Sequence, residues 1–93
     1  MVPRIVAEKM RKNNVGSDIY KYHVKVLDRL TFHNVRLFCF ETFGLSTDLG
    51  FVQYLQEVPR WCWLHDSTPT EIRMRLYFNR DEDFVWLRTR FGV

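Results

Sequence analysis

Cys62-Trp63-Leu64-His65 has a C-x-x-H spacing, and Cys39, His23 and His33 stand elsewhere in the chain. Zinc is held by four N or S ligands, usually supplied as two close pairs. Here there is one close pair, and in a strand positions i and i+3 point to opposite faces. No metal site is therefore expected. The same thiols and imidazoles are the ingredients of a thiol nucleophile, and Asp81, Glu82 and Asp83 offer carboxylates. Three adjacent acids at a helix start serve the helix dipole more readily than acid–base chemistry. No phosphate loop, nucleophile elbow or metal-helix motif is present. The expectation is a protein without catalytic residues and without a cofactor.

Two binding constellations remain. Lys21, His23 and Lys25 alternate along one segment, and Arg73, Arg75 and Tyr77 along another. A third segment carries Arg36, Phe38 and Phe40. If these share one sheet face, cations for phosphates and flat rings for unstacked bases lie together, as single-stranded nucleic-acid binders require. The competing reading is a solvated face, with Phe38 and Phe40 under a helix and arginines lying over aromatic surface. The second constellation is a protein interface. Trp, Tyr, Phe and Arg dominate interface hot spots, and a small core cannot bury every large ring. Trp61, Trp63, Tyr54, Tyr77 and Trp86 are expected to stay partly exposed, and Trp61, Trp63, Tyr77 and Trp86 to contact a partner.

The elements that must position these residues follow from periodicity. Pro3 suits a first helical turn, so residues 2–12 read as a short helix, followed by turn chemistry over 13–18. From Ile19 to Leu27, Tyr20, Tyr22, Val24 and Val26 alternate with Lys21, His23 and Lys25, the pattern of a half-buried strand. Residues 34–43 are rich in strand formers and read as a second, doubly covered strand. A helix is expected from Ser46 or Thr47 to Val58, with Leu49, Val52, Leu55 and Val58 on one face and Pro59 ending it. Residues 61–65 and 71–78 read as strands, with Ile72, Met74, Leu76 and Phe78 inward. Asn79 and Glu82 stand as a capping box, and a helix is expected from about Arg80 to Arg88. Residues 87–91 also alternate as a hairpin strand would, so the last five residues stay open, with Gly92 available as a C-terminal cap. The order is then α-β-β-α-β-β-α. The fold class is α+β: about four strands in a mainly antiparallel sheet with two or three helices. Residues 1–17 form a basic arm or short helix, and residues 18–93 a single domain.

Composition narrows the classes. The chain has 93 residues, with 8 Phe, 4 Tyr and 3 Trp but a single alanine, Ala7. That excludes disorder and coiled coil. No apolar run of about 18 residues is present, so no membrane span is expected. No charged n-region precedes an apolar stretch, so no signal peptide is expected. The net charge of +3 belongs to residues 1–12, which carry Arg4, Lys9, Arg11 and Lys12 against Glu8; the remaining charges balance. Two cysteines inside apolar runs read as reduced, buried thiols, which points to the cytoplasm.

The run from Arg73 to Gly92, RMRLYFNRDEDFVWLRTRFG, covers about 20 of the 93 residues. It resembles the C-terminal segment of small uncharacterised proteins of tailed bacteriophages. The resemblance implies a setting, a viral protein acting in the host cell cytoplasm, and no site residues. The combined expectation is a small non-enzymatic accessory protein that binds another protein, forms a homo-oligomer, or joins a larger assembly. The alternative is single-stranded RNA or DNA binding through Lys21, Lys25, Arg36, Phe38, Phe40, Arg73 and Arg75.

Overall fold

A computed structural model of the protein describes residues 5–10, 19–67, 69–70 and 72–93. Arg4, Arg11, Lys12, Glu71 and the expected turn at 13–18 lie outside the described residues. Strands β1 (Ile5–Lys9), β2 (Tyr22–Val26), β3 (Trp61–Ser67) and β4 (Ile72–Phe78) form one antiparallel sheet in the order β1-β2-β4-β3. Helices α1 (Arg29–Phe43), α2 (Leu49–Val52) and α3 (Asp81–Phe91) complete the described elements. The fold is a small α+β domain in the order β-β-α-α-β-β-α. No helix of the described residues is long and apolar enough to cross a membrane.

Two segments exchange their expected types. Residues 5–9 form β1 where a helix is predicted. Ile5 and Val6 are β-branched, which suits a pleated neighbour better than a helical turn. Pairing Ile5 with Val26 and Ala7 with Val24 places both on the core side, which a thin helical stripe could not do. Residues 34–43 belong to α1 where a strand is predicted. The deciding signal is Asp28, whose Oδ1 accepts from the Thr31 backbone N–H at 2.8 Å while Oδ2 accepts from the Thr31 hydroxyl at 2.7 Å. From that cap, Phe32, Val35, Cys39 and Phe43 recur at helical spacing and are buried. Strand propensity yields there to the helical period of the buried face.

The core lies between one face of the sheet and helices α1 and α3. Val24, Val26, Met74, Leu76, Phe78 and Trp61 meet Phe32, Val35, Cys39, Phe43, Phe84 and Leu87. Two polar ties fix α3 on it. The Tyr22 hydroxyl donates to Asp81 at 2.5 Å, and its ring stacks on Phe84 at 4.3 Å. Arg60 grips the buried Asp83 in two bonds of 2.7 and 2.6 Å. The acidic start of α3 therefore does more than complement its dipole. Its N-cap is Arg80, without a side-chain cap bond, rather than Asn79. The helix runs on through Phe91, which decides the open C-terminal residues in favour of helix, and Gly92 ends it in the left-handed region at φ 69°.

On the opposite face a smaller cluster joins Tyr20, Val52, Cys62 and Tyr77. The predicted helix to Val58 shrinks here to the four residues of α2, followed by single turns. Only Val52 of that helix is fully buried, too little apolar contact to hold a longer one.

Replacing Asp83 with Ala should lower stability by about 2 kcal/mol, because it removes two charge-assisted bonds while leaving Arg60 able to regain water. Replacing Asp28 with Ala should cost about 1 kcal/mol through the lost cap. Urea unfolding of both variants measures these values. A change in Asp83→Ala no larger than in an exposed control such as Glu82→Ala would contradict the assignment.

Candidate functional site

The register defines two faces of the sheet. Alongside α1 and α3 run the rows Lys9–Tyr22–Phe78–Trp61 and Ala7–Val24–Leu76–Trp63. The other face carries Glu8–His23–Tyr77–Cys62 and, one step along, Val6–Lys25–Arg75–Leu64. In the first of these rows His23, Tyr77 and Cys62 are buried; in the second all four residues are half-buried.

This arrangement divides the residues expected to bind nucleic acid. Lys25, Arg73 and Arg75 share the second face. Lys21 is exposed just before β2. Arg36, Phe38 and Phe40 belong to α1, across the sheet. Phe40 packs edge-on against Trp61 at 5.0 Å and tilted against Trp63 at 5.4 Å. Phe38 meets Phe43 and Phe91 edge-on. Arg36 lies over Phe32 and Trp63 at 5.2 and 5.5 Å. Arg60, Arg88 and Arg90 likewise lie over Phe43, Phe84 and Phe91. These arginines cover core aromatics, the other reading that their sequence allowed. The cations and rings expected together do not converge, because the segment bearing Arg36, Phe38 and Phe40 is helical.

The expected interface residues are also divided. Trp61 and Tyr77 are fully buried and form no surface. Trp61 fills the space beneath α1, and its indole N–H donates to the Gly44 carbonyl at 2.9 Å. Tyr77 faces the smaller cluster instead of solvent. Trp63 is half-buried, while Trp86 is half-exposed beside the exposed Val85 on α3.

Several apolar residues of the segment before β3 are also exposed, of which the sequence pointed only to Tyr54. Leu45, Phe51, Tyr54, Leu55 and Val58 are exposed, and the last four keep i, i+3, i+4, i+7 spacing. The stem beneath them is fixed. The Ser46 hydroxyl donates to the Trp61 carbonyl, and the Trp63 N–H donates to the Thr47 carbonyl along the outer edge of β3. Val52 enters the smaller cluster, and the Tyr20 hydroxyl donates to the Pro59 carbonyl at 2.8 Å. The segment is thus pinned at both ends and apolar on its outer side. The sequence carries the signal: on a helix Phe51, Val52, Tyr54, Leu55 and Val58 would spread over about 160° of the surface, a wider apolar side than the one buried contact at Val52 covers.

The chemistry-bearing residues are dispersed. Cys39 and Cys62 are free, buried and on opposite faces of the sheet. Burial pushes the Cys62 thiol up to about 12 and raises Cys39 as well. His65 stands against Phe32 on the α1 side, away from Cys62. Among the described residues no three His, Cys, Asp or Glu side chains gather as metal ligands. No protein-family model matches the chain, and neither a curated protein nor a solved structure matches it significantly.

His23 is the one buried imidazole of the described residues. Neither ring nitrogen has a hydrogen-bond partner, and Glu8 approaches to 3.8 Å. Burial lowers its pKa from the ordinary 6.5; Lys25 and Arg75 push the same way, and Glu8 opposes them. The ring of Tyr77 packs against it without charge. Between the lowered value and 6.5 the unfolded chain binds more protons, so stability rises with pH. This contribution is fully present above 6.5 and is lost as pH falls below it. The melting temperature should therefore drop between about pH 7.5 and about pH 5.5, and the drop should shrink in His23→Gln. Equal drops in both proteins would contradict the assignment.

Proposed function

We propose that the protein is a non-enzymatic accessory protein that binds another protein through the pinned apolar segment from Leu45 to Val58. The carrying observation is the exposure of Phe51, Tyr54, Leu55 and Val58 at helical spacing above a fixed stem. Exposed apolar groups of this size mark interaction sites. The spacing is that of a helix laid into an apolar groove, and docking would extend α2 through Val58. The segment contains Asp48 and Glu57 and no cation, so the fitting partner is a protein with an apolar groove and a basic rim. The buried thiols with raised pKa values support a binding role over a nucleophilic one. A viral setting inside a bacterial host belongs to the same proposal and rests on the C-terminal resemblance. Single-stranded nucleic-acid binding is the weaker reading, because Phe38 and Phe40 lie across the sheet from Lys25, Arg73 and Arg75.

A photo-crosslinking side chain at position 54 should capture one discrete partner in the cell of origin. The same group at the exposed polar position 41 on α1 should not. Adding Leu55→Asp should abolish capture. A product of twice the chain's mass would identify the partner as a second copy. Equal labelling from both positions, or none from 54, would overturn the proposal.

A further inference from the structure

The β2–β4 pairing ends at Lys25↔Arg75, although both strands continue. Where they part, a cleft of about 80 Å3 opens, lined by Lys25, Leu27, Ile72, Arg73 and Arg75 among others. Three of those side chains are cations. Lys25 and Arg75 face each other directly across the strands, an arrangement that destabilises a sheet unless something lies between the charges. They are also half-buried, with Val6 and Leu64 at the ends of their row. In such surroundings charge–charge interactions are stronger than in water.

Among the described residues the carboxylates do not balance this cluster. Glu8 lies 3.7 Å from Lys25 and is divided between Lys25 and His23. Asp66 accepts from one terminal nitrogen of Arg73 at 2.5 Å. Arg75 has no carboxylate within ion-pair distance among the described residues. The Nε of Arg73 is buried and has no acceptor. A buried donor without a partner is a standing cost that a bound acceptor would remove.

We propose that this cleft binds a single phosphate group, held by Lys25, Arg73 and Arg75, with Leu27 and Ile72 contacting an organic substituent. Phosphate supplies the tetrahedral acceptors that guanidinium and ammonium groups engage. The volume equals the share of roughly two or three waters, enough for one oxyanion. Leu27 and Ile72 are half-exposed at the rim, so an ester carrying an apolar group should bind more tightly than the free ion. No aromatic ring lines the cleft, which disfavours a stacked nucleotide strand. The site goes beyond the proposed protein-binding segment and shares no residue with it.

The test is an amide NMR titration at constant ionic strength, with inorganic phosphate, phenyl phosphate and a single-stranded oligonucleotide lacking terminal phosphates. Saturable shifts confined to Val26 and Arg73–Arg75 are expected with phenyl phosphate, and weaker ones with inorganic phosphate. Tighter binding of the inorganic ion would assign the site to free phosphate instead of an ester. Lys25→Gln with Arg75→Gln should weaken binding at least tenfold, whereas Arg88→Gln, on α3, should leave it unchanged. Because the wild-type titration stands alone, a misfolded double variant would not obscure the outcome. Shifts that never saturate, that spread evenly over the surface, or that survive the double substitution would overturn the proposal. Tight oligonucleotide binding that grows with strand length would also overturn it, in favour of a nucleic-acid surface.

Discussion

Two long helices cover one face of a four-stranded sheet, and the third described helix, with four residues, is too short to cover the other. That imbalance constrains everything else. The face beneath α1 and α3 receives the branched and aromatic side chains and becomes the core. The opposite face is closed at one end by Tyr20, Val52, Cys62 and Tyr77, and is left half-open where Lys25 and Arg75 meet. A chain of this size buries a limited fraction of its surface. The residues it leaves out are therefore grouped by topology, with an apolar group over β3 and a cationic group between β2 and β4.

The order of strands makes the second group possible. Because β4 lies between β2 and β3, arginines from the end of the sequence stand beside Lys25 from its first third. Neither segment announces this alone. The alternation in each was legible, and it correctly places Met74, Leu76 and Phe78 inward. It also placed Tyr77 in solvent, because period-2 reasoning assumes one wet face and this sheet is partly covered on both. The strands β2, β3 and β4, the antiparallel sheet and the C-terminal helix could be read from local pattern, whereas the expected count of four strands agrees only because one false strand and one missed strand cancel. The types of residues 5–9 and 34–43 could not. A five-residue apolar stretch takes its conformation from its neighbours, and an aromatic-rich run with both faces apolar satisfies either period. The cap at Asp28 and the helical spacing of Phe32, Val35, Cys39 and Phe43 together make this segment a helix, which turns Arg36, Phe38 and Phe40 away from the arginines of β4.

The unusual composition has a related explanation. With one alanine and fifteen large rings, few residues must fill the interior, and their edges reach the surface. Arginine is suited to those edges, since its planar group lies over a ring while remaining hydrated. Arg36, Arg60, Arg88 and Arg90 all do so. The arginines left without such a ring include Arg73 and Arg75, and these two line the cleft. Aromatic surplus is explained in the same way: most rings belong to the core, and those remaining outside are concentrated at Phe51, Tyr54 and Trp86.

The central claim is that the segment from Leu45 to Val58 is pinned at its ends while its later part, residues 53–58 with Tyr54, Leu55 and Val58, stays unpacked. Amide hydrogen exchange of the free protein measures this directly. Amides of α1 and β4 should exchange slowly, at rates set by global unfolding, while those from Gln53 to Val58 exchange far faster through local opening. Protection of Gln53–Val58 equal to that of α1 would show the segment already packed as a helix, and would contradict the account.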